Sequence, residues 1–296
     1  MRKIGNQEFV IKDYYCDNGN GYLPKSDGKL WLYVNISNFC NASCPFCINN
    51  NSPDGKFDLI SFENTVFKIK NFINGVSITG GEPMLEIKKV DEVINLIYGI
   101  FGTSLEIDMV TNGTFFTKLP ELMNFAKLDS VHLSRHMISD YENDRIFRCK
   151  MITAKEIAET LRQIDDPAKV VFNCVLMSEG IHNINTVADY LEFAASLGIR
   201  NTCFIGLSKC NKFCATHYVD PRGLNFSEDS RFHIWNHYSD HEYCSCSSGS
   251  YDALETSVRF YYRVVGEKKV PYARQLVYTA DNRLLAGFGG KEIEGI

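Results

Sequence analysis

Apolar and polar residues follow two kinds of pattern along the chain, and each pattern predicts one kind of element. Short apolar runs bounded by turn residues predict strands, whereas apolar residues three and four positions apart predict helices. The predicted strands cover residues 30–37, 75–79, 105–111, 130–133, 170–177 and 201–207. The predicted helices lie between them, at residues 61–72, 87–101, 119–127, 154–163 and 184–197.

This regular exchange of strands and helices predicts the fold class. Strands separated by helices form βαβ units, in which neighbouring strands run parallel. We therefore expect an α/β fold, a partial (β/α)6 barrel with parallel strands, followed by a small irregular or β C-terminal extension. In such barrels the chemistry lies at the carboxyl ends of the strands.

The pattern changes at both ends of the chain and suggests three parts. Residues 1–29 are expected to form an N-terminal lead-in, with a strand near 8–16 and a turn after it. Residues 30–207 form the expected barrel, and residues 208–296 the C-terminal extension. The lead-in is shorter than a separate recognition domain of about 50 residues.

The extension itself has two halves. Residues 208–250 are polar and rich in Cys and His, with little periodicity. Residues 257–265 and 273–286 resemble strands again, and a turn at 280–282 breaks the second of them.

Composition and charge narrow the class of protein. Hydrophobic residues make up 45% of the 296 residues and charged ones 23%, which is ordinary for a soluble globular protein. The net charge of −5 argues against nucleic acid as a partner. No apolar run approaches the roughly 18 residues of a membrane span, and the N-terminus lacks the apolar segment of a secretory signal. We therefore expect a cytoplasmic protein without a membrane partner.

Eleven cysteines are many for such a protein, and three of them stand close together as Cys40-x3-Cys44-x2-Cys47. In a reducing compartment cysteines are metal ligands or buried thiols more often than disulfides. A 4Fe–4S cluster is normally held by four thiolates, one for each iron, so three cysteines would leave one iron open. The triplet alone is equally consistent with a zinc site that has a distant fourth ligand.

A second motif follows at the end of the next predicted strand, where the sequence reads Gly80-Gly81-Glu82-Pro83. Glycines allow backbone groups to approach a ligand closely. The Glu82 carboxylate can accept hydrogen bonds from an ammonium group, and Pro83 stiffens the turn.

Together, the cysteine triplet and the Gly-Gly-Glu-Pro turn resemble those of the radical S-adenosylmethionine (radical SAM) enzymes, over residues 30–207. The resemblance implies two cofactors, a 4Fe–4S cluster and S-adenosylmethionine. It implies that Cys40, Cys44 and Cys47 hold the cluster, and that the open iron chelates the amino and carboxylate groups of S-adenosylmethionine. Gly80, Gly81 and Glu82 would bind the amine.

The resemblance also assigns further residues to the S-adenosylmethionine site, namely Phe46, Asn112, Ser134, Arg135 and Asn173. Phe46 would pack beside the adenine; it is otherwise an ordinary, partly buried aromatic residue. Asn112 has an equal alternative as a left-handed turn residue before a glycine. Asn173 is a polar residue within an apolar strand and needs a partner if it faces inward.

Arg135 stands where many members of the family have Leu-Asp, so the usual assignment of this position is in doubt. An arginine here could pair with the methionine carboxylate or with an acidic substrate, or it could be a solvated surface residue. His136 and Asp140, on the same loop, are further candidates to face the substrate.

A second group of cysteines, Cys210, Cys214, Cys244 and Cys246, lies in the polar half of the extension, where buried apolar thiols are not expected. Four thiolates could hold a second iron–sulfur cluster or a zinc ion. The group resembles the auxiliary-cluster extensions of radical SAM enzymes with twitch or SPASM domains, although its spacing departs from the SPASM signature. Some of these cysteines could instead be free surface thiols. Cys174 and Cys203 lie within apolar strands and are expected in the core.

The resemblance implies an enzyme of oxidoreductase, transferase or cyclase type. A donor such as flavodoxin or ferredoxin would reduce the cluster, S-adenosylmethionine would be cleaved, and the 5′-deoxyadenosyl radical would abstract hydrogen from a small-molecule or nucleotide substrate. The motifs are similar to those of the GTP cyclases of molybdopterin synthesis and of peptide-modifying relatives, but the tail lacks the cysteine pattern of those cyclases. The alternatives are the modification of a ribosomal peptide and a non-catalytic zinc or iron–sulfur protein.

Overall fold

The computed structural model describes residues 2–9, 29–49, 55–208, 210–236, 246–251, 256–261 and 275–296. Its strands are β1 (Arg2–Ile4), β2 (Gln7–Phe9), β3 (Leu30–Asn35), β4 (Ile73–Thr79), β5 (Glu106–Thr111), β6 (Ser130–Ser134), β7 (Val170–Leu176), β8 (Asn201–Gly206), β9 (Phe232–Asn236), β10 (Cys246–Tyr251), β11 (Thr256–Tyr261), β12 (Gln275–Tyr278) and β13 (Leu284–Leu285). Its helices are α1 (Leu59–Ile69), α2 (Ile87–Phe101), α3 (Asp140–Phe147), α4 (Ala154–Leu161), α5 (Ile184–Ser196) and α6 (Lys212–Thr216).

One large sheet organises the described residues, and its strands follow the order β13-β12-β3-β4-β5-β6-β7-β8-β11-β10-β9. All neighbours from β12 through β11 pair in parallel, with antiparallel strands added outside them. The six strands β3 to β8 are those predicted for the barrel, so the expected α/β fold of a partial (β/α)6 barrel is confirmed. The C-terminal strands extend both edges of the barrel sheet.

The two faces of this sheet differ in polarity. On β3 the residues Leu30, Leu32 and Val34 are fully buried, and they join the apolar faces of the helices in one core. Trp31 and Tyr33 point to the other face and are only half-buried. A parallel sheet that is covered on both faces usually has nearly continuous apolar strands. Here buried apolar residues alternate with half-buried ones along β3. The face that carries the half-buried residues lines the barrel interior, and we call it the lumen face.

Two predicted features of the middle of the chain differ from the structure. The predicted helix at 119–127 is instead a pair of 3-10 turns, Phe116–Glu121 and Phe125–Lys127. Pro120 lies inside the first turn, and a proline disrupts α-helical hydrogen bonding because it has no N–H. The segment between the predicted strand at 130–133 and the predicted helix at 154–163, where no helix was predicted, contains α3, which Ser139 caps through its side chain.

The extension is more regular than its sequence indicated. Helix α6 and strands β9 and β10 lie in the half predicted to have little periodicity. The predicted turn at 280–282 does separate two strands, β12 and β13. Of the predicted strand at 8–16, residues 10–16 lie outside the described residues. Within the ranges described above, no helix combines the length and the apolar character needed to cross a bilayer.

The turn after β12 fastens the extension to the barrel. Asn282, with a positive φ of 64°, accepts a hydrogen bond from the Asp58 N–H (2.8 Å) and donates one to the Lys56 carbonyl (2.8 Å). Asp58 is the N-cap of α1 and accepts from the Ser61 N–H. The C-terminal strand pair is therefore held against the start of the first barrel helix.

We expect Asn282→Ala to lower the free energy of unfolding by about 2–4 kcal/mol, because it removes the three hydrogen bonds of the side chain, including one from the Tyr278 hydroxyl, and places alanine at a left-handed φ. Asn282→Gly removes the same hydrogen bonds without the backbone strain, so it should cost about 1 kcal/mol less. Urea denaturation of both variants measures the difference. Equal losses for the two variants would show that the left-handed backbone does not contribute.

Candidate cofactor site

The cysteine triplet lies on the loop that leaves the carboxyl end of β3. Cys40, Cys44 and Cys47 are each partly exposed, so a cofactor can reach their sulfur atoms. Backbone N–H groups two residues further along donate to two of them, Ala42 to Cys40 (3.4 Å) and Asn49 to Cys47 (3.4 Å). Hydrogen bonds to sulfur of this kind stabilise the thiolate form and tune iron–sulfur clusters.

The thiols of the triplet disfavour one another's ionisation. Burial raises the pKa of Cys44 far above its usual value, and the neighbouring thiols of Cys47 and Cys40 raise it further. Burial also raises the pKa of Cys40. Bound metal ions reverse this effect, because their positive charge stabilises several thiolates together. The donor set therefore fits a cluster of iron ions.

In the described part of the chain, no three His, Cys, Asp or Glu side chains converge as ligands around a single metal ion.

Gly80 and Gly81 bring the end of β4 against this loop. The Gly81 N–H donates to the Ser37 carbonyl (2.7 Å), and the Glu82 N–H donates to the Phe39 carbonyl (2.9 Å). A Cβ at Gly80 would lie 2.2 Å from the Ser37 oxygen, and one at Gly81 would lie 1.9 Å from the Phe39 oxygen. The close approach that requires glycine in this structure is therefore between the two loops, whereas the sequence suggested an approach to a ligand.

Glu82 is fully buried, and its carboxylate is occupied by donors from its own chain. Its oxygens accept from the Met84 N–H (2.9 Å), the Thr111 hydroxyl (2.6 Å) and the Asn112 N–H (2.6 Å). Burial raises the pKa of Glu82 to about 7, although these hydrogen bonds act in the opposite direction. That this carboxylate also receives an ammonium group stays a prediction; among the described residues it links the ends of β4 and β5.

Asn112 continues this link to the cysteine loop. Its side-chain nitrogen donates to the Asn41 Oδ1 (3.0 Å) and lies 3.6 Å from the Cys40 sulfur. Its oxygen accepts from the Thr114 N–H (2.8 Å). The residue with positive φ in this turn is Gly113 (88°), so Asn112 is not the left-handed turn residue that was one of its two predicted roles. It lies instead beside the first cysteine of the triplet.

Phe46 and His136 belong to an apolar group at the mouth of the barrel. Phe46 meets the His136 ring edge to face, with ring centroids 5.0 Å apart, and His136 stacks on Phe147 at 4.8 Å. The His136 Nδ1 accepts from the Val175 N–H (3.2 Å). Burial and the nearby Arg135 lower the pKa of His136 to about 3. His136 is thus a neutral, buried residue, not the substrate-facing group that was one expectation.

Arg135 points away from the lumen and is buried, so it is not the solvated surface residue that was one of its predicted roles. Its side chain is 1% exposed, lies over the Phe193 ring of α5 at 5.0 Å, and pairs with Asp140 at 2.7 Å. It also donates to the Ile138 carbonyl (2.6 Å). Alternation along β6 explains this orientation, because Val131, Leu133 and Arg135 share the face that packs on the helices. Arg135 and Asp140 therefore form an ion pair against the helix layer.

Ser134 and Asn173 are paired across β6 and β7, and both lie on the lumen face. The Asn173 Oδ1 has its partner in the His132 Nδ1 (3.0 Å). His132 was not singled out in the sequence, since a lone histidine in a strand carries no local signal. The register of the sheet is what brings it beside Asn173.

The structure describes part of the second cysteine group. Cys210 is exposed and Cys214 is buried on α6, with their sulfur atoms 3.6 Å apart. Asn211 between them donates to the Pro45 carbonyl (2.9 Å), which places this pair against the first cysteine loop. Cys244 and the side chain of Cys246 lie outside the described residues. The burial of Cys214 was not expected from its polar surroundings in sequence.

Cys149 is a residue that sequence reasoning missed. It follows Arg148, which ends α3 in a left-handed conformation, and burial together with the Cys40 thiol raises the pKa of Cys149. The Ser43 N–H, within the cysteine loop, donates to the Phe147 carbonyl (3.0 Å). A fourth thiol therefore lies near the triplet, although about a hundred residues separate them in sequence.

Comparison with known families gives a match over the barrel. The family model described as the Radical SAM superfamily matches residues 34–204, more than half of the chain. A GTP 3',8-cyclase of Nautilia profundicola is 25% identical over 188 residues, which cover 60% of this chain and 56% of the cyclase. A GTP 3',8-cyclase of Lactiplantibacillus plantarum is 28% identical over 174 residues, 55% of this chain and 50% of the cyclase. The chain thus spans about half the length of these curated relatives.

Comparison with solved structures supports the fold. Streptococcus suis SuiB bound to S-adenosylmethionine superposes with a TM-score of 0.60 at 15% identity, covering 89% of this chain and 62% of SuiB. SuiB bound to its precursor peptide SuiA gives a TM-score of 0.60 at 15% identity, covering 88% of this chain and 59% of SuiB. At this identity the likeness shows a shared fold.

We expect Glu82→Gln to lower the free energy of unfolding by about 2–3 kcal/mol, because the new amide NH2 would face an N–H donor inside the protein. Glu86→Gln is the matched control, since Glu86 lies in the same short turn and its side chain is 48% exposed. Urea denaturation of the metal-free proteins measures both variants. A Glu82→Gln variant as stable as its control would contradict the structural role assigned to this carboxylate.

We expect Arg135→Lys to destabilise the fold by about 2–4 kcal/mol, because lysine cannot replace both the stacking on Phe193 and the hydrogen bonds of the guanidinium group. Binding of S-adenosylmethionine, measured by calorimetry on the folded variant, should be unchanged. Arg145→Lys is the control, because the Arg145 side chain is 54% exposed and its ion pair is at the surface. Weaker binding of S-adenosylmethionine without loss of stability would show that Arg135 belongs to the cofactor site.

Proposed function

The chain belongs to the radical SAM superfamily, and we propose that it is an enzyme that reductively cleaves S-adenosylmethionine at a 4Fe–4S cluster held by Cys40, Cys44 and Cys47. A single observation supports this most strongly. The cysteine loop and the Gly80-Gly81 turn meet through two backbone hydrogen bonds, at a distance that only glycine permits. The two motifs of the family thus form one surface at the carboxyl ends of β3 and β4.

When bound, the cluster and S-adenosylmethionine would supply the one-electron chemistry by which hydrogen is abstracted from the substrate. The protein holds the reactants in place and excludes water. Cys40, Cys44 and Cys47 would hold the cluster in this proposal, and S-adenosylmethionine would bind beside it.

The methionine amine is assigned to the backbone of the Gly80–Glu82 turn. The Glu82 carboxylate is buried and already accepts three hydrogen bonds, so it supports this turn from beneath. Phe46 lies next to the last cysteine of the triplet and is assigned to the adenine, as the family resemblance implies. Asn112 is assigned to the same pocket, because its side chain lies beside the Cys40 sulfur. Ser134 and Asn173 face the lumen beyond them.

The reductant and the substrate are proposed only as classes of molecule. Radical SAM enzymes require a reductant, and flavodoxin or ferredoxin is the donor proposed for this chain. We assign a small molecule as substrate, rather than the GTP named for the cyclases or a precursor peptide such as that bound by SuiB. A second iron–sulfur cluster at Cys210, Cys214, Cys244 and Cys246 remains a prediction.

We expect Cys44→Ala to lose about four irons per chain and the formation of 5′-deoxyadenosine together, because one corner of the cluster would have no ligand. Cys174→Ala is the matched control, since Cys174 is a fully buried thiol on the helix-packed face of β7. Anaerobic reconstitution, iron and sulfide analysis, and chromatography of the reduced reaction measure these quantities. Cleavage of S-adenosylmethionine by Cys44→Ala at the rate of its control would refute the proposed function.

A further inference from the structure

The lumen face carries a connected group of polar side chains that the cofactor site does not use. The register of the sheet aligns Ser77 of β4 with Asp108 of β5, and places His132, Asn173 and Cys203 on the following strands. The opposite face of the same strands is apolar and fully packed against helices. Polar side chains clustered inside a barrel, below the edge that binds cofactors, are suited to hold a ligand.

Trp31 forms an aromatic wall at one side of this group. A Cβ at Gly75 would lie 2.2 Å from the Trp31 ring, so the absence of a side chain at Gly75 lets the indole lie across β4. The indole N–H donates to the Ser77 hydroxyl (2.7 Å), and Trp31 remains half-buried. The indole is thereby held in a fixed position.

Asp108 lies next to this wall and has an acceptor that the described residues do not use. It is 7% exposed, and a hydrogen bond with Ser77 stabilises its charged form. Its Oδ1 is buried and receives no hydrogen bond from any described residue. Buried carboxylate oxygens nearly always have a donor, so this atom points to a group that binds there.

Charges around Asp108 define which donor suits it. Glu106 is on the same face of β5, and Asp129 lies close to both carboxylates, so their mutual repulsion adds to the effect of burial in raising the pKa values of Glu106 and Asp108. Two cationic groups oppose them. Arg259 of β11 acts on Glu106, and His132 acts on both carboxylates. On the lumen face, Glu106 and Asp108 thus lie near His132 and Arg259, and Asp108 is the buried carboxylate of the two.

His132 is fixed in place and does not fill the open position at Asp108. Its Nδ1 is bonded to the Asn173 Oδ1 (3.0 Å) and its Nε2 to the Ser130 hydroxyl (3.1 Å). Burial lowers the pKa of His132, but Cys203 and Asp108 together with Asn173 raise it to about 9. Both ring nitrogens therefore already have partners, and the Asp108 Oδ1 needs a donor from elsewhere.

We propose that the lumen face around Trp31, Asp108 and His132 holds the substrate, and that it takes a substrate with a basic nitrogen, an ammonium or guanidinium group. Such a group donates to the open Asp108 oxygen, is attracted by the Asp108 carboxylate, and packs against the Trp31 ring by a cation–π contact. Asp108 lies three residues before the end of β5, about 10 Å below the mouth of the barrel. The inference rests on the proposed function, because it places the substrate beneath the cofactor.

The same charges disfavour a nucleoside triphosphate. The phosphates of GTP would lie beside the buried Asp108 carboxylate, which would repel them. GTP therefore serves as a contrasting probe in the test of this proposal, because this chain is similar to GTP 3',8-cyclases.

The test measures equilibrium binding to the anaerobically reconstituted protein with S-adenosylmethionine bound and no reductant. The probes are the N-acetyl methylamides of arginine, lysine, norleucine and glutamate, together with GTP. We expect the arginine or lysine probe to bind at least about tenfold more tightly than norleucine, and the glutamate probe and GTP to bind more weakly still. Asp108→Asn should remove about tenfold of the affinity for the basic probe.

Two further variants make the test specific. Glu92→Gln changes an exposed carboxylate on α2 and should bind every probe as the wild type does. Trp31→Leu removes the aromatic wall and should lower the affinity for the basic probes about threefold. This variant tests the site independently of Asp108→Asn. Binding of S-adenosylmethionine and its cleavage after reduction are measured on the same preparations, and Glu92→Gln should retain both.

Tighter binding of GTP or the glutamate probe, equal binding of the basic probe by wild type and both lumen variants, or no binding of any basic probe would each overturn the proposal. These results are distinguishable from a failure of the proposed function, in which wild-type protein neither binds nor cleaves S-adenosylmethionine.

Discussion

The buried Glu82 carboxylate is the contact on which the rest of the site depends. It accepts three hydrogen bonds, from Met84 in its own turn and from Thr111 and Asn112 at the end of the next strand. Those bonds hold the carboxyl ends of β4 and β5 at the same level along the barrel axis. The turn fixed in this way presses Gly80 and Gly81 against the cysteine loop, and Asn112 reaches from the other side to Cys40. A charged group without access to solvent is costly, so its position is well determined by the donors around it.

The sequence was sufficient to predict the layout of the barrel and the position of its two motifs at the carboxyl ends of the first two barrel strands. Strong apolar periodicity located all six barrel strands, and the cysteine triplet and the Gly-Gly-Glu-Pro turn stood at the ends of the first two. The strand-five asparagine was expected to need a partner, and the structure supplies it in His132. The weaker signals failed where a local feature overrode periodicity, as at Pro120, or where a short capped helix lay in a polar segment, as in α3.

The directions of individual side chains could not be predicted from their neighbours in sequence. Glu82 and Arg135 are both polar residues at strand ends, and a role in cofactor binding was reasonable for each. Their actual partners, Thr111 and Asp140, become visible only when the register of the sheet and the packing of the loops are known. The same limit applies to Cys149 and Cys214, which tertiary packing brings near the cysteine loop from distant parts of the chain. Motifs thus locate a site, whereas long-range pairing determines which atoms face it.

The strands of the extension have a consequence for how the barrel can exist in solution. A six-stranded open sheet would expose the backbone donors and acceptors of β3 on one side and of β8 on the other. Here β12 pairs with β3 and β11 pairs with β8. Unpaired sheet edges recruit strands from other molecules and promote aggregation. The strands that follow the barrel in sequence therefore cover both edges of the barrel sheet. A fragment ending at β8 would be prone to self-association, even though it contains the cysteine triplet and the Gly-Gly-Glu-Pro turn.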